Sequence, residues 1–179
     1  AITGGLNLDA AITSAASLTV STTSDIGASV TTSGIQTYTG AATISADSTL
    51  TTTNSNIIFG NTVVGDASDD DLTIAIGNGI VQFVGTVGAG GGANDVGAIA
   101  ITGGLNLDAA ITSAASLSVT KASNLGASVT TSGVQTYGTN NADTTTISAD
   151  VTLTTTNSNI TMRSIDGAAG TEDLAFNTG

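Results

Sequence analysis

The side chains able to do chemistry in this sequence are few: fourteen carboxylates, Lys121 and Arg163, with no histidine and no cysteine. Thiol nucleophiles and serine–histidine triads are thereby excluded, and a serine–lysine arrangement would have to rest on Lys121. The chain contains an internal repeat, and Lys121 stands where the other copy has Thr22, Arg163 where it has Gly60. Neither base belongs to the repeated design. Lyases acting on acidic polysaccharides need basic residues beside calcium-binding acids, and glycosidases need a carboxylate pair. The acids that do recur are Asp9 with Asp108, Asp47 with Asp150, and Asp71 with Asp173. One recurrence per unit is the behaviour of a turn residue. No catalytic residue and no cofactor is expected, and the chain does not read as an enzyme.

The acidic run GDASDDDL, with Asp66, Asp69, Asp70 and Asp71, is the best place to look for a cation. Calcium takes six to eight oxygens from a turning backbone, and the EF-hand spacing is not met. The stretch GGGANDVGA at 90–98 resembles a glycine-rich calcium nonapeptide, but Ala93 replaces a required glycine and no tandem copy follows. Both stretches read as solvated loops, the first with at most weak calcium binding. No metal ligand is assigned.

Charge narrows the partners. The formal net charge is −12, whereas nucleic acid requires clustered lysine and arginine. An anionic membrane surface is disfavoured for the same reason. No run of eighteen apolar residues is present to insert into a bilayer. The 179 residues include 23 glycines and no proline, where roughly nine prolines would be average. A chain that keeps every backbone N–H suits continuous ladder pairing. Its 40% hydrophobic content argues against disorder.

Residues 1–20 match residues 100–119 at nineteen of twenty positions. The offset then grows by four residues around GTNNAD, so that TISADSTLTTTNSNI is answered by TISADVTLTTTNSNI. Residues 1–99 form one long unit, and 100–179 form a second, incomplete and continuous with it. The text starts in mid-pattern at Ala1 and reads as a fragment.

Within the unit, the rings Tyr38, Phe59 and Phe83 fall 21 and 24 residues apart. Leu50 and Leu72 are 22 apart, Val63 and Val87 are 24 apart, and Tyr137 and Met162 are 25 apart. Short apolar-alternating stretches such as SLTV, STLTT, IIFG, DLTIAI and AIAI lie between glycine, asparagine, aspartate and serine. They read as strands with apolar residues inward and threonine outward. A coil of about 22 residues, repeated about eight times, predicts an all-β parallel β-helix (β-solenoid) on the order of 40 Å long. Tandem β-sandwiches are the alternative. Threonine rows on flat solenoid faces can bind ice, but TVSTTS, VTTSG and LTTTNSN do not share a T-x-T spacing at one coil position.

The stretches GIQTYTGAATISADSTLTT, NIIFGNTVVGD and GIVQFVGTVG resemble repeats of giant filamentous-haemagglutinin-like exoproteins of bacteria. That resemblance implies a right-handed parallel β-helix, secretion by a two-partner route, an extracellular or cell-surface location, and repeats without catalytic residues. The expected role is a rod segment of an extracellular fibre, self-associating end to end. A glycan- or receptor-binding adhesin segment is the alternative.

Overall fold

The computed structural model describes residues 1–66, 69–88 and 95–179. Every strand pairing is parallel, and the described chain contains no helix. The strands stack on three faces to make a β-solenoid of about eight turns.

The chain visits the faces in a fixed order. Leu6–Leu8 pairs with Ser24–Ile26, that with Ala42–Ile44, and that with Val63–Gly65, forming one face. Isolated bridges through Val87 and Ile111 carry this face on to Val129–Thr130, Val151–Thr154 and Leu174–Asn177. It is called face 3. Face 2 runs from Ile12–Ala15 through Val30–Thr32 and Ser48–Thr51 to the first halves of Leu72–Phe83 and Val96–Leu107. It continues to Ala114–Val119, Gln135–Tyr137 and Ile160–Met162. Face 1 holds Leu18–Val20, Gln36–Tyr38, Ile57–Phe59 and the second halves of the two long strands. It ends with Ser123–Leu125, Thr144–Ile147 and Ser164–Gly167.

Strand alternation makes this geometry work: in three-residue strands the outer two side chains point inward and the middle one points out. Leu18–Val20, Gln36–Tyr38 and Ile57–Phe59 each show this buried–intermediate–buried pattern. The inward residues stack in columns, such as Val20, Tyr38, Phe59, Phe83, Leu107 and Leu125, all at most 1% exposed. Tyr38 and Phe59 stack with ring centroids 5.1 Å apart, and Phe59 and Phe83 at 5.2 Å. Each full coil thus seals the core of the one below it.

The ring spacings and the Val63–Val87 and Tyr137–Met162 spacings correspond to direct rungs. The Leu50–Leu72 spacing does not. Leu50 lies opposite Ile74, and Leu72 lies opposite Ser48. The coil is also not uniform. Val20 to Tyr38 is an 18-residue advance and Ile74 to Ile101 a 27-residue one. In the shortest coils each face takes six residues, so that strands open at Leu6, Ile12, Leu18, Ser24, Val30, Gln36, Ala42 and Ser48.

The coil that lengthens in the second copy places its extra residues in a corner. The added residues in the second copy form the turn that follows Tyr137. Gly138 adopts φ +76° there, an angle that an L side chain resists. Asp143 Oδ2 accepts the backbone N–H groups of Thr139 (3.0 Å) and Asn140 (2.7 Å). A loop that satisfies its own donors leaves the neighbouring rungs undisturbed.

Candidate functional site

Three of the recurring acids, Asp47, Asp71 and Asp150, occupy corners, where they act as pegs between coils. Asp47 Oδ1 accepts the backbone N–H of Asp71 at 2.9 Å, and Asp71 Oδ1 accepts that of Ala98 at 2.6 Å. In the second copy Asp150 Oδ1 accepts the N–H of Asp173 at 3.0 Å. Ser29 and Ser128 do the same for Thr49 and Thr152. Asn54 and Asn56 do it for Asn78 and Ile80, each at 2.9 Å. A corner leaves N–H groups outside the sheet ladder, and an oxygen from the previous coil satisfies them. Asp9 and Asp108 differ: Asp9 accepts from the Asn7 amide, whereas Asp108 accepts from both Gln82 and Asn106.

Asn54 and Asn157, equivalent in the repeat, are the two non-glycine residues with positive φ among the described residues, at 53° and 51°. Asparagine tolerates the left-handed region better than other L residues. The next coil places Gly77 (φ +58°) directly over Asn54, where a Cβ would collide with the amide oxygen.

Residues 67 and 68 of the acidic run lie outside the described residues, as do residues 90–94 of the glycine-rich stretch. Among the described residues, no three acids are grouped to hold a metal ion. The Asp70 carboxyl is pushed above the usual aspartate range, first by burial and then by the neighbouring charge of Asp66. Of the two bases, Lys121 donates from Nζ to Asn78 Oδ1, and the Arg163 stem lies 3.6 Å from the position a Cβ on Gly138 would take.

Sequence reasoning missed a buried polar module. Gln36 and Gln135 are fully buried. Gln36 Nε2 donates to Thr51 O at 2.9 Å and to Thr32 Oγ1 at 3.3 Å, while Gln36 Oε1 accepts from the Tyr38 hydroxyl at 3.0 Å. Gln135 repeats every contact: Thr154 O at 2.8 Å, Thr131 Oγ1 at 3.2 Å, and the Tyr137 hydroxyl at 3.0 Å. Thr32 and Thr131 complete the module by donating to the carbonyls of Gly34 and Gly133. Burial raises both tyrosine pKa values. The signal was visible in VTTSGIQTY and VTTSGVQTY, where glutamine is the one long polar side chain at an inward position.

The outward threonines align better than the text suggested. On face 2, Thr49 pairs with Thr73, then come Ala100 and Ser118, and then Thr136 and Thr161. A second column runs Thr31, Thr51, Ala75 and Thr102. Threonine fills both columns on the same rung only at Thr49 and Thr51, so the array is interrupted.

One cleft stands out on face 1. It has a volume of about 420 Å³ and is lined by Asn56, Ile80, Gln82, Asn106, Asn124 and Thr146 among others. Small residues make the room: Gly104 lies opposite Ile80, and the Ala122 carbonyl accepts from Leu105 on the preceding coil. No protein-family model, curated protein or solved structure matches the chain.

Proposed function

We propose that this chain is a structural rod segment of an extracellular bacterial fibre, and that its coils continue end to end into further solenoid. The observation that carries this reading is the state of the last coil. Ile165 and Phe176 are 50% and 53% exposed, although they sit in register with Thr145 and Leu153. Those two are 1% and 0% exposed. The same inward positions that are sealed one rung below are therefore open here, beside unpaired ladder groups. A further coil covers them, whether it comes from the same polypeptide or from a second copy.

The repeat itself supplies the template. Leu174–Asn177 corresponds to the start of Leu72–Phe83, on which residues 99–102 are stacked in parallel. Residues 1–3 have the same sequence as 100–102, so Ile2 of a second copy would meet Phe176 as Ile101 meets Ile74. The extracellular and bacterial parts of the proposal rest on the resemblance to haemagglutinin-like repeats. Self-association is tested by analytical ultracentrifugation and electron microscopy of the 179-residue chain. Concentration-dependent rods with a 4.8 Å axial spacing are expected, shortened by Phe176→Asp. Dispersed monomers at millimolar concentration would overturn end-to-end assembly of separate copies.

A further inference from the structure

We infer that the face 1 cleft is a binding groove for a neutral, extended oligosaccharide lying along the rod axis. This inference does not depend on the fibre reading. The lining residues come from five successive coils: Asn56, then Ile80 and Gln82, then Leu105 and Asn106, then Ala122 and Asn124, then Thr144 and Thr146. Five rungs give a groove about 19 Å long at the inter-strand spacing. Each of the last four rungs offers an amide or hydroxyl at the middle, outward position of its strand: Gln82, Asn106, Asn124 and Thr146.

These amides are held in place before any ligand arrives. Gln82 Nε2 donates to Asp108 Oδ2 at 2.6 Å, and Asn106 Nδ2 donates to Asp108 Oδ1 at 3.0 Å. Asn124 Nδ2 then donates to Asn106 Oδ1 at 2.8 Å. The chain of bonds stops at Asn124 Oδ1, an acceptor with no hydrogen-bond partner among the described residues. A side-chain network with one acceptor left over is a costly arrangement in a partly buried site. That oxygen is itself shielded from solvent. Preorganised amides also lose little freedom on binding.

The spacing and charge select the occupant. Pyranose residues in an extended glycan repeat at nearly the coil rise, so successive sugars meet successive amides in register. A peptide strand advances about 3.3 Å per residue and falls out of step; it would seek a sheet edge rather than a face. The carboxylate of Asp108 at the groove and the chain's net charge of −12 disfavour anionic ligands. Ile80, 45% exposed, and Ala122 give the apolar face of a sugar ring a surface to lie on.

The test titrates the 179-residue chain with cellohexaose by calorimetry and NMR, beside maltohexaose, cellobiose and hexagalacturonate. Cellohexaose should bind with Kd on the order of 1 mM or tighter, and cellobiose about tenfold more weakly because it spans fewer rungs. Asn106→Ala and Asn124→Ala should each weaken binding about tenfold. Ala122→Trp, which fills the groove, should abolish it, while Thr152→Ala on face 3 should leave it unchanged. Circular dichroism confirms that each variant is folded. Absence of cellohexaose binding at about 10 mM would overturn the inference. So would equal binding of maltohexaose, tighter binding of hexagalacturonate, or indifference to Ala122→Trp.

Discussion

Tyr38 and Tyr137 hold the same position in the repeated text, yet they lie on different faces of the solenoid. Tyr38 pairs with Val20 and Phe59 on face 1, and Tyr137 with Val119 and Met162 on face 2. The shift is general: LNL is on face 3 at residues 6–8 and on face 1 at 105–107. The long unit therefore spans about four and two-thirds turns, so each copy is turned by one face. What survives the shift is local. Both hydroxyls donate to a glutamine two residues back at 3.0 Å, while the ring contacts are rebuilt from whatever the neighbouring coil provides.

If the glutamine module is local, its energetic weight should be the same on either face. Gln36→Leu and Gln135→Leu each strand a tyrosine hydroxyl and a backbone carbonyl, and each should cost about 2–3 kcal/mol. Tyr38→Phe, which removes only one donor, should cost about 1 kcal/mol. Urea unfolding with amide exchange as the site-resolved readout checks this. A silent Gln135→Leu beside a costly Gln36→Leu would show that the face, not the module, sets the energy.

The aromatic column depends on face instead. Phe59 lies between Tyr38 and Phe83, 5.1 and 5.2 Å from their centroids. Phe59→Ala should cost about 3–5 kcal/mol through cavity formation. Phe59→Met copies the second unit's Met162 and loses mainly the two stacking contacts, about 1–3 kcal/mol. Denaturation midpoints at constant m-value separate the two.

The rings made the solenoid legible, because a large residue stands out against small ones and its spacing counts coils. The six-residue step from face to face was written just as regularly, yet it stayed hidden. Three of its eight strand openings carry Ser24, Gln36 and Ser48, all buried, and a hydropathy pattern scores these as surface. Ser48 Oγ donates to Ala46 O at 2.9 Å and Gln36 Nε2 to Thr51 O at 2.9 Å, whereas Ser24 Oγ has no partner among the described residues. No spacing rule reveals that before the corner is known. The cleft was equally hidden, since Gln82, Asn106 and Asn124 are far apart in sequence and become neighbours only through coils of unequal length. The corner role of Asp47, Asp71 and Asp150 was readable from recurrence, although the equally recurrent Asp9 and Asp108 bond side-chain amides instead.

Asn54 and Asn157 combine a left-handed backbone with, at Asn54, a peg to the next coil. Asn54→Ala should cost about 1–2 kcal/mol, the usual penalty for an L residue at such a φ. Asn54→Gly should fall between the two, relieving the backbone while leaving the N–H of Asn78 without its acceptor. Thermal unfolding of the three proteins should rank them in that order; an alanine variant as stable as glycine would remove the backbone from the explanation.

Two aspartates should respond to pH with opposite sign. Hydrogen bonds from Asn140 and Thr139 hold the Asp143 carboxyl below the usual aspartate range. Its contribution is thus present above the ordinary aspartate pKa and is lost as pH falls through the lower folded value. Asp70 is held above that range by burial and by Asp66. Its contribution is present below the ordinary value and is lost as pH rises through the folded one, leaving a penalty at neutrality. At pH 7, Asp143→Asn should lower the melting temperature and Asp70→Asn should raise it. Toward acid pH, as each wild-type carboxyl takes up its proton, each variant should approach its parent. Comparing variant with parent at the same pH cancels the titration of the other twelve carboxylates, so only these two groups set the sign. A neutral-pH loss from Asp70→Asn would mean that its carboxylate is favourably paired rather than crowded.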